Sequence, residues 1–292
     1  MRFTVRRFLA LSLVALLSFG QAQSAGDLLS LTGAGGKATA TGYSAEAAQF
    51  FARITDPGTT RKNQYAAAID CLVSNSVWTP MQMLMLYAAD IQANALINLK
   101  SSSFPNVNNG SVTFTANQGF TGDAATNYLQ TGYVPSVNGS QDSQTIGVYI
   151  LNNRTTTASK IAIGSQDVGG ANPLAIGPLW LGGFTWTVNS TAQLVTQTNT
   201  TSQGSFAATR RGATDSEGYK NGASLGTNAT ASSGLNNDEY YILALNANST
   251  PLLFSDDQIA AAWVATGMTT GQVQAVQSCI NGYMTALGIN VY

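Results

Sequence analysis

The sequence predicts a mostly β protein: a two-sheet antiparallel sandwich with helical segments before and after it in the chain. Three observations lead to this prediction. After Lys100, short runs that alternate apolar and polar residues are punctuated by Gly, Asn and Pro about every 8 to 15 positions, a pattern typical of sandwiches. Apolar residues recur at helical spacing within residues 44–89 and 269–288. Only 9% of residues are charged, so Ser, Thr, Asn and Gln must supply the polar surface.

The chain begins with the features of a secretory signal, predicted at residues 1–24. Three arginines give it a positive start: Arg2, Arg6 and Arg7. Residues 8–19 form an uncharged apolar run, and Ala22 and Ser24 place small residues at the −3 and −1 positions of the predicted cut. The run is shorter than the about 20 apolar residues of a membrane span, so we expect an exported protein, periplasmic or extracellular, without a transmembrane span. Residues 25–42, rich in Gly, Ala and Thr, are predicted to be a flexible leader.

Residues 43–292 are predicted to form one domain, and three helices are expected in its N-terminal flank. The first begins after Ser44, a residue type that caps helices. The second covers residues 60–74, which place apolar side chains on one side. The third is a short Met- and Leu-rich helix that begins at Pro80 and ends near Ala89.

The strands and the last helix are predicted from local patterns. The alternating runs are Val112 and Phe114; Ile146, Val148 and Ile150; Ile161 and Ile163; Phe184, Trp186 and Val188; Phe206 and Ala208; residues 241–245; and residues 259–264. Asn221 and Gly222 predict a tight type I′ hairpin, because both tolerate positive φ. Thr269 and Gln272 fit a capping box at the start of the C-terminal helix, and Gly288 fits its end.

Composition excludes several kinds of chemistry. The chain has no histidine, which rules out Ser-His-Asp and Cys-His catalysis and His-ligated zinc. The net charge is −1, and no basic patch exists beyond Arg210 and Arg211, so nucleic-acid binding is not expected. The two cysteines, Cys71 and Cys279, suggest a disulfide in an exported protein; the alternative is two unconnected buried thiols.

The order of several short motifs resembles a known family. After two amphipathic helices, the motifs are Leu72-Val73, Trp78, residues 95–100, 114–120, 128–133 and 147–149, Arg210, Tyr219, Asn221-Gly222 and residues 286–288. Over roughly residues 43–292 the chain resembles the concanavalin A-like lectin/glucanase (LamG-like) domains of tailed-phage structural proteins and bacterial exported proteins. The resemblance implies a jelly-roll sandwich with helical flanks and either carbohydrate binding or a place in a virion tail. It brings no defined set of catalytic residues.

Carboxylate pairs were sought because glycosidases of this broad fold carry Glu-x-Asp-x-x-Glu on one strand. The sequence contains no such run. Its nearest pair, Asp215 and Glu217, is predicted to lie in a solvated loop because glycines flank it. Asp238 and Glu239 would point to opposite faces of any strand. No catalytic residue is therefore predicted.

Calcium is the one cofactor that the sequence leaves open. Sandwiches of this type bind calcium through loop oxygens, and Asn138, Gln141 and Asp142 offer such atoms in one loop. Their spacing matches no calcium motif, so an ordinary polar turn is favoured and no metal site is predicted.

Sugar binding requires exposed aromatic rings and nearby hydrogen-bonding groups. Trp180 and Trp186 flank two glycines, and Trp180 is predicted to be the exposed platform. Arg210, Tyr219 and Asn221 share the predicted hairpin and could form a polar rim beside it. The alternative for each aromatic residue is a place in the core.

These observations favour an exported, non-catalytic jelly-roll protein whose partner is a glycan or cell-surface polymer. Two alternatives remain: a structural protein of a virion, tail or envelope with protein partners there, and a glycoside hydrolase of the same fold.

Overall fold

The structure is a computed structural model that describes residues 42–154, 156–190 and 195–292. Two sheets pack face to face as a mostly β, antiparallel jelly-roll sandwich with a C-terminal helix, which confirms the predicted fold class. The predicted signal peptide at residues 1–24 and, apart from Gly42, the predicted leader lie outside the described residues. No helix in the described part of the chain combines the length and the apolar character needed to cross a bilayer.

The elements follow one another along the chain in this order: α1 (Ala45–Phe51), α2 (Thr59–Ser74), β1 (Met81–Leu86), α3 (Gln92–Ala95), β2 (Val107–Asn109), β3 (Thr113–Thr115), β4 (Gly119–Thr121), β5 (Tyr128–Gln130), α4 (Pro135–Asn138), β6 (Gln144–Ile150), β7 (Ile163–Gln166), a 3₁₀ turn (Val168–Gly170), β8 (Leu174–Trp180), β9 (Gly183–Val188), β10 (Val195–Thr198), β11 (Gly204–Gly212), β12 (Asp215–Lys220), β13 (Ala223–Asn228), β14 (Tyr241–Ile242), β15 (Leu245–Ala247), β16 (Thr250–Leu252), β17 (Gln258–Ala265) and α5 (Thr270–Ala286).

The strands form two sheets, named here sheet A and sheet B. Sheet A has the order β13-β12-β11-β6-β17-β4-β3, and β1 pairs with β17 beside this path. Sheet B has the order β10-β9-β8-β7-β14-β5-β2, with the β15–β16 hairpin joined to β7. The pairing of β15 with β7 is parallel.

Sheet A is buried on both of its faces. Alternate residues of a strand point to opposite faces, so Val148 of β6 packs between the two sheets while Tyr149 packs toward the helices. Trp263 of β17 also lies on the helix side, across from Gly147. A Cβ atom at Gly147 would come within 2.1 Å of the Trp263 ring, so the glycine makes room for the indole.

A disulfide fixes the helical layer over sheet A. Cys71 of α2 and Cys279 of α5 are bonded, with their Cα atoms 5.6 Å apart and 208 positions between them in sequence. The predicted bridge is confirmed, and the alternative of two separate thiols is wrong. Because the loop it closes contains most of both sheets, the bridge ties the first helices to the last one.

Several local predictions are confirmed. The Thr269–Gln272 capping box opens α5, and Gly288 has φ +72 just after it. Asn221 and Gly222 have φ values of 49 and 75 and connect β12 to β13 as a two-residue hairpin.

Three local predictions are wrong. Residues 81–86 form strand β1 and not a helix: Met83 and Met85 face the space between the sheets, while Leu84 and Leu86 face the helices. A strand buried on both faces carries a continuous apolar run, which short-range periodicity cannot separate from a helix.

The other two errors concern strand limits. Asp215 and Glu217 lie in β12 and not in a solvated loop, because β12 pairs with both β11 and β13. Residues 241–245 do not form a single strand: Leu243 has φ 69 and divides the segment into β14 and β15.

Candidate functional site

The outer face of sheet B carries a polar cleft with a volume of about 500 Å³. Leu129 and Ile242 are paired across β5 and β14 and point into the inner core. Their chain neighbours therefore point outward. The residues that shape the cleft are Tyr128, Gln130, Asp238, Glu239, Tyr241 and Asn246. The long helices α2 and α5 pack instead on the outer face of sheet A.

Two tyrosines form the aromatic wall of the cleft. The ring centroids of Tyr128 and Tyr241 are 4.3 Å apart, and their planes are tilted by 34°. Phe254 lies on the other side, with its ring centroid 6.3 Å from that of Tyr128. Tyr241 is only 4% exposed and Tyr128 is half-buried. Tyr128 therefore presents the accessible ring, and Tyr241 supports it from behind.

Two consecutive carboxylates line the same cleft. Glu239 Oε2 accepts the backbone N–H of Gly132 at 2.5 Å, and Asp238 Oδ1 accepts the Ser249 hydroxyl at 3.1 Å. Burial raises the pKa of Glu239; the N–H of Gly132 opposes this shift and the charge of Asp238 adds to it. The two acids lie in the irregular segment before β14 and not in a strand, so the expectation for opposite faces of a strand does not apply to them.

Asn246 adds a buried hydrogen-bond acceptor to the cleft lining. Its Nδ2 donates to the backbone carbonyl of Glu239 at 2.9 Å. The residue is 2% exposed, and its Oδ1 is buried without a hydrogen-bond partner among the described atoms. Buried polar atoms are nearly always paired, because an unpaired one costs about 1–3 kcal/mol. A donor on a ligand would satisfy this atom.

The two acids of the cleft, Asp238 and Glu239, are not paired with a cation in the described structure. By contrast, Arg211 lies 2.8 Å from both Asp215 and Glu217. This one arginine bridges both carboxylates, so each acid of the Asp215–Glu217 pair has a cationic partner.

A smaller apolar cavity of about 250 Å³ lies next to the cleft. Leu245 and Leu253 line it together with Trp180, and Leu245 directly precedes Asn246 of the cleft. Trp180 is half-buried in the cavity wall on the outer side of sheet B. Its predicted role as an exposed platform for a sugar stays a prediction.

The other predicted binding residues do not come together at the surface. Trp186 is fully buried in the inner core, stacked on Phe184 at 5.1 Å between ring centroids. Arg210 is fully buried, and its guanidinium donates to backbone carbonyls, including that of Val188 at 2.6 Å. The expectation that they reach the surface is wrong for both, because each fills a place inside the sandwich.

The predicted polar rim is wrong for the same reason. Tyr219 is fully buried, and its hydroxyl donates to Glu217 Oε2 at 2.5 Å. Asn221 stays half-buried, with its Oδ1 accepting the backbone N–H of Ser205 at 2.8 Å inside the hairpin turn.

The side chains that might have bound calcium make hydrogen bonds within the protein. Asp142 Oδ1 accepts the Ser232 hydroxyl at 2.5 Å, and Gln141 Nε2 donates to the same hydroxyl at 2.9 Å. Asn138 Oδ1 accepts the N–H of Val134 at 3.1 Å. Within the described residues, no group of three or more His, Cys, Asp or Glu side chains could hold a metal ion.

Comparisons with known proteins give similarities at low sequence identity. Domain 4 of AbnA, an extracellular GH43 arabinanase from Geobacillus stearothermophilus in complex with arabinotriose, is 14% identical with a TM-score of 0.49, over 68% of this chain and 98% of that domain. The sialidase of Trypanosoma rangeli is 8% identical with a TM-score of 0.47, over 79% of this chain and 40% of the sialidase. No family model matches the sequence, and no curated protein is significantly similar to it. Membership of the concanavalin A-like family therefore stays a prediction.

Proposed function

We propose that the protein is an exported, non-catalytic binding protein and that the polar cleft on sheet B binds a glycan. The observation that carries this proposal is the half-buried Tyr128 ring, supported by Tyr241 at 4.3 Å, in a cleft otherwise lined by amide and carboxylate groups. A sugar presents an apolar ring face and a rim of hydroxyl groups. Aromatic walls with a few placed polar groups suit such a ligand.

The polar lining supports the same proposal. Gln130 and Asn246 offer amide groups, and Asp238 offers a carboxylate oxygen beyond its bond to Ser249. The Oδ1 of Asn246, a residue of the cleft lining, is a buried acceptor without a partner among the described atoms. A ligand hydroxyl that donates to this atom would remove the cost of leaving it unpaired, which favours binding.

Export is proposed on two independent grounds. Residues 1–24 have the order of a cleaved secretory signal. The Cys71–Cys279 disulfide is of the kind that persists in oxidising compartments and is rare in the cytosol. The proposed location is therefore the periplasm or the extracellular space. N-terminal sequencing of the exported protein tests the cut after Ser24.

The binding proposal is tested with the exported protein on a glycan array, followed by calorimetry on the glycans it retains. Tyr128→Ala is expected to weaken binding by about tenfold or more, since it removes the accessible aromatic face. Tyr43→Ala is the matched control: Tyr43 is also half-buried, but it packs on Phe51 in the helical layer. Retention of no glycan, or equal weakening by the two variants, would contradict the proposal.

A glycoside hydrolase is the second candidate, because Asp238 and Glu239 line one cleft and burial raises the pKa of Glu239. A general acid in glycoside hydrolysis needs such a raised pKa. The bond from Gly132 to Glu239 Oε2 occupies one of its two oxygens, which favours binding over catalysis. Release of new reducing ends from a retained glycan, abolished by Glu239→Gln, would establish the hydrolase instead. A structural role in a virion or envelope stays a prediction that no described contact favours.

A further inference from the structure

We propose that the cleft selects glycans that carry protonated amino groups, such as oligomers of an amino sugar with free amines. This inference rests on the proposed function and narrows it to one class of ligand. It follows from the charge of the cleft, from its aromatic wall and from its unpaired acceptor.

The cleft is negatively charged and is lined by no cationic side chain among the described residues. Asp238 and Glu239 belong to its lining. A third acid, Asp167, accepts the backbone N–H of Asn237 at 2.8 Å at the edge of the cleft. The sequence has no Lys or Arg after Lys220, so the segment that supplies most of the lining carries only acids. An anionic sugar would meet like charge here, whereas an ammonium group would meet opposite charge.

Several carboxylates elsewhere in the fold are paired with a cation. Asp257 lies 2.8 Å from Arg154, and Asp256 lies 2.7 Å from Lys160. The chain has cations for those carboxylates but places none beside Asp238 in the described structure. An ammonium group on a ligand would take the place that a lysine or arginine takes at the other acids.

The remaining groups of the cleft also suit an amine. An ammonium group has three N–H donors and no acceptor. The unpaired Oδ1 of Asn246 is an acceptor, and this residue is only 2% exposed. The Tyr128 ring, which lines the same cleft, offers a cation–π contact to an ammonium group. N-acetylation of the sugar would remove the charge and leave one N–H, so both contributions would weaken.

The test compares two oligomers of the same length by calorimetry: one of glucosamine and one of N-acetylglucosamine, at a pH where the free amine is protonated. The glucosamine oligomer is expected to bind at least about tenfold more tightly, and the gap is expected to shrink at 1 M salt because salt screens charge. Asp238→Asn and Glu239→Gln should each weaken binding of the glucosamine oligomer several-fold and leave the N-acetylated one nearly unchanged.

Asp56→Asn is the control for net charge. This variant removes the same charge as Asp238→Asn, but Asp56 pairs with Lys62 at the helical side and is not part of the cleft lining. Equal affinity for the two oligomers, with both sensitive to Tyr128→Ala, would overturn the amine preference and leave glycan binding standing. Equal weakening by Asp56→Asn and Asp238→Asn would also overturn it, because bulk charge would then explain the effect. Binding of neither oligomer would overturn the amine inference; glycan binding itself fails only if the full array shows no ligand that depends on Tyr128.

Discussion

The outer faces of the two sheets treat their acidic side chains differently. On sheet A, α5 packs over β12, and Glu217 beneath it is 7% exposed and bonded to both Arg211 and Tyr219. On sheet B, Asp238 and Glu239 line an open cleft and form no salt bridge within the described residues. Burying a charge without a partner is costly, so a covered acid must be paired. An acid at an open cleft is solvated and stays available to a ligand.

The difference assigns separate roles to the two faces. The covered face joins the first and last helices to the sandwich through the Cys71–Cys279 bridge and an apolar core that contains Trp263. The open face contributes little to that core and carries the adjacent rings of Tyr128 and Tyr241 and the unpaired Oδ1 of Asn246. Changes on the sheet A side should therefore alter stability, and changes in the cleft should alter binding.

The largest effect is expected from removing the disulfide. Replacing both Cys71 and Cys279 with Ala should lower the free energy of unfolding by about 5 kcal/mol, because the bridge closes a loop of 208 residues. Urea unfolding of the variant and the oxidised parent measures this loss. Under conditions where the variant is folded, its glycan affinity should match that of the parent. A loss below about 1 kcal/mol would contradict the structural role given to the helical layer.

The next effect comes from an acid beside sheet A. Asp257 directly precedes β17, is fully buried and lies 2.8 Å from Arg154 Nε, which is buried as well. Asp257→Asn should lower the free energy of unfolding by about 3 kcal/mol, because it removes the nearer carboxylate from a buried arginine and leaves only Asp256 at 4.0 Å. Thermal and urea unfolding measure the change. An unchanged free energy of unfolding would show that a buried acid such as Asp257 does not need a cationic partner for the protein to be stable.

The smallest effect on stability is expected from Glu239→Gln, the corresponding acid-to-amide change in the cleft. The pKa of Glu239 is raised above its usual 4.5 by burial, so the folded state holds the proton more tightly than the unfolded state does. The contribution of this group to stability therefore falls as pH rises from about 4.5 through the raised pKa. Because glutamine does not titrate, the Glu239→Gln variant does not lose this stability as pH rises. At pH 7 the variant should be as stable as the parent or slightly more so, within about 0.5 kcal/mol.

Urea unfolding at pH 4 and pH 7 measures the Glu239→Gln effect, and the variant should gain relative to the parent as pH rises. A clear loss of stability at pH 7 would show that the Glu239 carboxylate supports the fold, as Asp257 does. The contrast between the two faces would then disappear.

Local signals in the sequence were sufficient where the backbone conformation depends only on nearby residues. The Asn221–Gly222 turn and the Thr269–Gln272 capping box depend on a few neighbouring residues, and both are present as predicted. The cleft was missed because its parts are far apart in sequence. Tyr128 and Tyr241 each looked like ordinary strand residues, and only the pairing of β5 with β14 brings their rings together. Alternation around Leu129 was the one signal that could have pointed to Tyr128.

By itself the sequence determined the class of fold, the capped starts of α1 and α5 and the one pair of cysteines that could bond, because alternation, capping and the count of two cysteines are local or compositional properties. Tertiary structure decided which side chains reach the surface. Trp186 and Arg210 are inside because neighbouring strands close over them. Asp238 and Glu239 share one cleft because the segment before β14 is irregular. Burial depends on what packs against a residue from elsewhere in the chain, and no local pattern specifies that neighbour.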